Sequence, residues 1–577
     1  ARAHRIYRTY GENSIEIVRS NPYRLARDVW GIGFKTADQI AEQIGIDRNS
    51  ELRARAGLHH TLAVLTSEGH CAYERESLIR EATRILEIDE KIVESALTAE
   101  LGEGLLIQRE FRGRSLVYLA SLDTAERLLA EKLVRLSGTP RLHRTVDPEK
   151  ACQWIEEHLG LKLGGAQKEA LKQSLVSKVM VITGGPGVGK TTLIRSIIEI
   201  LIRMNPRIRL AAPTGRAAKR LSEATGRDAT TIHRLLEFDP SKGQFKHHQN
   251  RLLKGDVFII DEASMIDLAL AYQLIRAIPD QAVLVLVGDV DQLPSVGPGN
   301  VLRDIIESGR VPVRHLDEVF RQSKSSSIVT AAHAINAGRI PDLKSGRETV
   351  QEVDRDFYFI EARDKEHALD LLLRLVSRRI PERFGFHPLR DIQVLTPMQK
   401  GELGARNLNS AIQDLLNPPR GETEMRNLGS VYRSGDKVMQ LINNYDKDVF
   451  NGDLGTIRFV STEDGEIGVR FDDRLVRYDR YEMDELGLAY AVTVHKSQGS
   501  EYPCVLIPLD LQHYVLLQRN LLYTAITRGK KLVVLVGSRK ALAIAVRKTD
   551  TRGRITTLKE RILQLQDVLP PQLPGTG

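Results

Sequence analysis

The apolar positions of this chain change rhythm along its length, and each rhythm predicts a different architecture. Over residues 1–140 they recur mainly at helical spacing. In NPYRLARDVWGIGFKTADQIAEQIG (21–45), two helical patterns flank the turn Gly31-Ile32-Gly33, and the second puts Ala37, Ile40, Ala41 and Ile44 on one face. Amphipathic stretches continue through 51–135, and a linker is expected around Gly138-Thr139-Pro140. From about residue 150 short apolar runs alternate with helical segments. Strands are expected at 179–183, 208–212, 257–261 and 283–288, then at 392–396, 490–495, 504–508 and 532–536. That alternation is the signature of parallel sheets covered by helices on both faces. Between the last two groups, 430–482 reads differently: the turns Gly435-Asp436, Asn451-Gly452-Asp453 and Asp464-Gly465 separate short alternating segments, as in a small antiparallel barrel.

The expected organisation is therefore α/β: two parallel-sheet domains, a helical N-terminal domain with a helix-hairpin-helix, and an inserted β barrel. The boundaries are 1–145 for the helical domain and 150–325 for the first α/β domain, with a small hairpin insertion at about 236–254. The second α/β domain takes 326–429 and 483–560, the barrel takes 430–482, and 561–577 is expected to be a disordered Pro/Gly-rich tail. A chain of 577 residues supports this division, since domains run to about 100–200 residues each. Its start at Ala1 rather than methionine is expected of a truncated chain.

Charge and cysteine content narrow the partners. Lys and Arg total 83 against 75 Asp and Glu, a net charge of +8 that permits a polyanionic partner without requiring one. No apolar run approaches the ~20 residues of a membrane span. The three cysteines, Cys71, Cys152 and Cys504, are far apart and outside any ligand spacing. They point to a reducing compartment without a disulfide framework or zinc site.

The most informative feature is GGPGVGKTT (184–192), directly behind the run Val179-Met180-Val181-Ile182. Gly184, Gly189, Lys190 and Thr191 fit G-x-x-x-x-G-K-[ST]. Glycines let the backbone curl so that its N–H groups converge on an anion, and the following helix adds the positive end of its dipole. Gly185, Gly187, Val188, Gly189, Lys190, Thr191 and Thr192 are thus the candidate nucleotide-binding positions, with Lys190 at the β- and γ-phosphates and Thr191 at Mg²⁺. Asp261 and Glu262 end the apolar run VFII; such a pair can hold Mg²⁺ through Asp261 while Glu262 orients or deprotonates an attacking water. Gln292 in LVGDVDQLPSVGPG is the candidate γ-phosphate sensor, because an amide both donates to phosphate and accepts from water.

These blocks, in this order, resemble the superfamily 1 helicases over about residues 160–540. Gln167 in LGGAQKEAL resembles the glutamine that reads adenine. APTGRAAKR, with Pro213, Thr214 and Gly215, and TTIHRLL, with His233, resemble the blocks that touch the single strand. EVFRQ places Arg321, and LLYTAITRGKK places Arg528, where the family carries its arginine fingers. VHKSQGSEY resembles the block whose His495, Lys496 and Gln498 lie near DNA and whose Glu501 lies near the ribose. The barrel and the N-terminal NPYRL…GIGFKTAD are closest to the RecD-like branch and its RecD2 subgroup. That resemblance implies two RecA-like domains, an SH3-like barrel, ATP and Mg²⁺ as cofactors, 5′ to 3′ movement, and single-stranded DNA and its junctions with duplex as partners. It also implies a monomeric motor in the bacterial cytoplasm or nucleoid, with a role in repair or recombination and without obligate RecB or RecC.

Lys190, Asp261, Glu262, Gln292, Arg321 and Arg528 would then carry catalysis. Around the Gly31/Gly33 turn, backbone N–H groups can form a nest for a DNA phosphate, with Lys35 just beyond; a purely structural helical hairpin fits the same sequence. The basic stretch 233–254 is expected to hold a hairpin at the strand fork, a solvated basic loop with no separating role fitting it equally; Arg433, Lys437, Asn443 and Tyr445 of the barrel are candidates to close over the strand, with a plain packing module as the alternative. A translocase that does not separate strands, or the motor subunit of a nuclease complex, would share the same motifs.

Overall fold

The structure is a computed structural model that describes residues 2–29, 31–140, 146–240, 242–318, 326–343, 355–421, 423–427, 429–549 and 553–568. The first parallel sheet has the order 313–316, 179–184, 283–288, 257–260, 208–212, 229–231. Its central strands are apolar on both faces because both faces are covered. Val179 and Val181 point into one core, and Met180 and Ile182 point into another. The second sheet, also parallel, has the order 357–361, 529–537, 502–509, 392–396, 491–493. There Val533 and Leu535 serve one core and Leu532, Val534 and Val536 the other. In both lobes the loops leaving the C-terminal strand ends carry the motifs, as open α/β sheets require.

The barrel sheet runs 474–479, 466–471, 454–461, 437–440, 486–488, all antiparallel. It closes around Val438, Ile457, Val469 and Tyr478, each fully buried. It reaches back to the first lobe, where Lys219 pairs with Asp472 at 2.5 Å and Arg234 with Asp448 at 3.3 Å.

Two expectations need correction. The N-terminal region is not wholly helical: Ala72–Glu74, Leu106–Phe111 and Arg114–Leu119 form an antiparallel sheet. Its hairpin turns at Arg112-Gly113, both at positive φ, the geometry that matches the twist of paired strands. The expected disordered tail also begins too early. Residues from 558 form the helix Leu558–Val568, with Leu558 and Ile562 each 1% exposed. One helical turn apart, they fill a core shared by the helix Ala120–Gly138 and the first lobe. Having left the second lobe, the chain thus returns to the first. On the helix Ala120–Gly138, Asp123 pairs with Arg561 at 2.6 Å and Glu126 accepts from Thr557 Oγ1 at 2.6 Å.

In the second lobe, His513 follows the long strand Tyr502–Leu509 and is 1% exposed. Its Nδ1 accepts from the Asp510 N–H at 3.4 Å, and its Nε2 has no hydrogen-bond partner. Burial pulls its pKa down to about 4. Below about pH 6.5 the unfolded ring takes up a proton that the folded ring refuses, so stability falls as pH drops from there toward about 4. His513→Gln should remove up to about 3 kcal/mol of this acid sensitivity. The check is a urea unfolding series from pH 7 to 4, in which the variant's midpoint should fall less steeply than that of the parent.

Candidate functional site

The glycine loop leaves the strand Val179–Gly184 and enters the helix Lys190–Ile202 through Gly189, whose φ of 77° only glycine adopts readily. Lys190 Nζ donates to the carbonyls of Gly184 at 2.5 Å and Gly185 at 2.8 Å, so the lysine spans the loop. Gln167 is 2% exposed, and its amide is used at both ends. Its Oε1 accepts from the Gly164 N–H at 3.1 Å, and its Nε2 donates to the carbonyls of Val188 and Gly189 at 3.3 Å. The residue expected at the adenine therefore also braces the loop. Thr191 and Thr192 are exposed at the start of the helix.

Asp261 and Glu262 lie where the strand Val257–Ile260 ends, each 8% exposed. Glu262 takes a left-handed φ of 51°, which turns it away from the strand direction. Arg220, on the helix Gly215–Thr225, donates to Glu262 Oε1 at 2.6 Å and also pairs with Glu501 of the second lobe, which Lys530 holds at 3.1 Å. Burial pushes Glu262 up, but Arg220, Arg528 and Lys190 outweigh it and hold its pKa below the ordinary value. Burial and the neighbouring Glu262 push Asp261 above its ordinary value. A pair so disposed carries one firm negative charge beside one that a cation would restore.

The opposite lobe enters this cleft through the helix Arg519–Ile526. Tyr523 Oη donates to Asp289 Oδ2 at 2.9 Å, Thr524 Oγ1 accepts from the Leu293 N–H at 2.8 Å, and Arg528 Nη2 donates to Gln292 Oε1 at 2.9 Å. Gln292 Nε2 in turn donates to Asp289 Oδ2 at 3.0 Å. Arg528 is 2% exposed and also donates to the carbonyls of Ser500 and Thr524 at 3.2 Å. Tyr523 closes on the glycine loop as well, since a Cβ at Gly185 would sit 2.9 Å from its hydroxyl.

The residues expected near the strand fall into two groups. Pro213, Thr214 and Gly215 leave the strand Ile208–Ala212; Thr214 Oγ1 caps the next helix, and a Cβ at Gly215 would meet the ring of Phe450 from the barrel at 2.9 Å. His495 and Lys496 stand exposed on the short helical turn His495–Ser497. The other two face inward. Gln498 is 6% exposed and donates to the Leu293 carbonyl at 2.9 Å, between the lobes. His233 packs between Phe238 and Phe245, with ring centroids 5.9 and 5.5 Å away, under the hairpin Phe238–Asp239/Gln244–Phe245. Burial lowers its pKa, so it props the hairpin as a neutral ring.

On the barrel, Arg433 is held by Glu424 at 2.6 Å and Asp414 at 3.1 Å, and Lys437 is 5% exposed with Nζ donating to the Ile392 carbonyl. Both side chains are spent on contacts within the protein. Asn443 donates to the Tyr445 hydroxyl at 3.5 Å, and Tyr445 lies edge-on to Phe450. Gly31 has φ 81°, between the helices Arg24–Asp28 and Phe34–Ile44, with Ala37 and Ala41 buried beneath and Lys35 exposed. The expectation for Arg321 falls outside the described residues.

Sequence reasoning missed Arg220, Asp289, Tyr523 and Arg554. Asp289 and Tyr523 lie inside blocks already singled out, but nothing in their spacing says that they meet. Arg554 follows the second lobe and donates to the carbonyls of Ser295, Gly297 and Gly299 at 2.6–2.9 Å, gripping the loop beyond Gln292.

Two parallel-sheet lobes that meet over a phosphate loop, with a buried arginine of one on the amide of the other, define a two-lobed P-loop motor of the helicase class. Residues 1–72 match the ATP-dependent RecD2 DNA helicase HHH domain, 167–298 an AAA domain, 408–471 the RecD-like DNA helicase SH3 domain, and 488–536 the UvrD-like helicase C-terminal domain. The ATP-dependent RecD2 DNA helicase of Deinococcus radiodurans is 32% identical over 97% of this chain and 76% of its own length. The RecBCD enzyme subunit RecD of Mycolicibacterium smegmatis is 33% identical over 69% of this chain and 74% of its own. A Pif1 helicase from Bacteroides in complex with ADP-AlF3 and single-stranded DNA is 20% identical, with a TM-score of 0.41 over 65% of this chain and 92% of that one. The chain belongs to the RecD2 family and is an ATP-dependent DNA helicase.

The bracing of the loop by Gln167 has a measurable consequence. Gln167→Ala should weaken ATP and GTP binding alike, by about tenfold, because it frees the loop carbonyls whichever base is bound. Fluorescent nucleotide titration checks this; a selective loss for ATP would place the amide on adenine instead.

Proposed function

We propose that this protein moves 5′ to 3′ on single-stranded DNA and parts duplex ahead of it, serving DNA repair or recombination. The observation that carries the reading is the Arg528–Gln292 hydrogen bond across the cleft that holds Lys190, Asp261 and Glu262. ATP enters along the glycine loop, where the N–H groups of Gly185, Gly187, Val188 and Gly189 face its phosphates and Lys190 exchanges the loop carbonyls for phosphate oxygens. Thr191 and Asp261 offer two hard oxygen donors, which suits Mg²⁺ because that ion keeps several waters and phosphate oxygens of its own. Bound there, Mg²⁺ would neutralise charge on the phosphates. No cluster of three or more acidic, His or Cys residues competes for a metal among the described residues.

Glu262, kept ionised by Arg220, orients and deprotonates the attacking water. Gln292 holds the γ-phosphate, and Arg528 stabilises the charge that develops on it, a role worth about 10³–10⁵ in rate for such arginines. Arg321 is assigned to the same phosphate by resemblance alone. Arg528 and Gln292 sit on different lobes, so hydrolysis and lobe closure are coupled. Glu501 is proposed at the ribose, where it would exchange its partner Arg220 for the sugar hydroxyls.

Pro213, Thr214, Gly215, His495 and Lys496 hold the strand by its backbone, with His233 and Gln498 fixing the surfaces beneath, and the hairpin at 238–245 stands at the fork. In this reading the motor acts alone, as a monomer.

Lys190→Gln should keep DNA binding and lower ATPase at least a hundredfold; retained hydrolysis would refute the site. Replacing 239–249 by a short Gly/Ser turn should abolish unwinding while DNA-stimulated ATPase persists. Unchanged unwinding would remove the hairpin from the fork. Polarity is checked with partial duplexes carrying a 5′ or a 3′ tail: the 5′-tailed substrate should open and the other should not. Stimulated ATPase without opening of either would leave a translocase.

A further inference from the structure

The outer edge of the first lobe carries a groove that lies apart from the nucleotide cleft. The sheet ends there on the strand Ala229–Thr231, and the segment returning from the hairpin, residues 246–254, folds alongside. Between them is an open groove of about 1020 Å³. Arg209 and Arg227 reach it from the sheet side, and Arg251 and Lys254 from the returning segment; all four are exposed.

None of these four makes an ion pair among the described residues, although Arg209 Nε donates to the Lys254 carbonyl at 2.8 Å. Their neighbours do: Arg207 pairs with Asp256 at 2.8 Å, Lys219 with Asp472 and Arg234 with Asp448. The groove therefore holds a local surplus of positive charge. Of the two carboxylates in its wall, Glu237 is already taken by Lys246 and His247, both at 3.4 Å, which leaves Asp228. Like charges gathered in one concavity repel, and an entering polyanion relieves that repulsion.

Size and lining restrict the ligand. The volume sits at the top of the ~300–1,000 Å³ range of small-ligand pockets, room for a few nucleotides of one strand and far too little for a double helix. Among the described residues no Phe, Tyr or Trp lines the groove, and the one ring in its wall, His247, is held by Glu237, so it offers bases little to stack on. It suits a sugar-phosphate backbone held without regard to sequence. Its position selects which strand. Glu237 and His247, which flank the two hairpin strands, also line the groove. A strand parted at the hairpin would pass directly into it.

We propose that this groove is a second DNA site, which holds the displaced strand while its complement runs between the lobes. This rests on the helicase reading with the hairpin at the fork. Holding the displaced strand hinders reannealing behind the hairpin, so the groove raises the yield of opening per ATP rather than the rate of hydrolysis.

The test compares a 5′-tailed duplex with a fork carrying both tails, using the full chain. The parent should bind the fork more tightly than the tailed duplex. The fourfold variant R209Q/R227Q/R251Q/K254Q should lose that preference, about tenfold in affinity at low salt, and the log–log salt slope on the fork should fall by about 2 to 3. ATPase stimulated by single-stranded DNA should not change. The pair R209Q/R227Q, which leaves the hairpin segment untouched, should show about half the effect. Thermal unfolding of both variants checks that they fold. An unchanged fork preference, or equal losses on fork and single strand, would overturn the groove. Absence of DNA-stimulated ATPase in the parent would instead overturn the motor reading.

Discussion

Between the lobes, the helix Arg519–Ile526 and its exit at Arg528 hold one short loop of the opposite lobe at three points: Asp289, Gln292 and the backbone of Leu293. A two-lobed motor depends on such a contact. The two sheets pack into different cores, so a change at one nucleotide-facing residue has no mechanical consequence unless it alters how the lobes touch. The contact is polar and buried. Its hydrogen bonds have definite directions, and each buried group lost from it leaves another unsatisfied at a cost of about 1–3 kcal/mol. Such an interface favours discrete arrangements over gradual sliding.

Charge ties the same interface to Glu262, the residue proposed to activate water. Arg220 rides on the helix that begins at Thr214, one end of the expected strand path, and grips Glu262 and Glu501 at once. That helix, the carboxylate pair and the second lobe thus share one guanidinium, whose planar fork suits two carboxylates. Motion of that helix along DNA would be felt at Glu262. The barrel reinforces the link from outside, because Phe450 packs against Gly215 and Asp472 pairs with Lys219 on the same helix.

The chain's last described segment has a comparable role on the other side. Arg554 grips the carbonyls that follow Gln292, while Leu558 and Ile562 bury themselves under the N-terminal helices. His70 Nδ1 accepts from the Ile555 N–H at 3.1 Å, and the Gly299 N–H donates to the Gly69 carbonyl at 2.9 Å. The N-terminal domain is thereby stitched to the loop that carries Gln292, and movement of the helix-hairpin-helix domain has a direct route to the cleft.

The sheets, the glycine loop, the carboxylate pair at 261–262, the barrel and the two groups of strands were legible from sequence, because each rests on local pattern. A buried parallel strand must be apolar throughout, and a phosphate loop must carry glycine where φ is positive. Other features depended on partners far away along the chain. The RG turn at 112–113 between alternating segments was a hairpin signal overlooked in a helical context, and the helical spacing of Leu558, Ile562 and Leu565 was hidden by the Pro/Gly-rich end. Nothing local distinguishes Gln498 facing inward from Lys496 facing outward, or Arg433 locked in ion pairs from Arg251 left unmatched. Those fates depend on which carboxylate or carbonyl the fold brings near, and the energy of a charge or a buried amide is set by its distance from a partner, which a linear sequence does not contain.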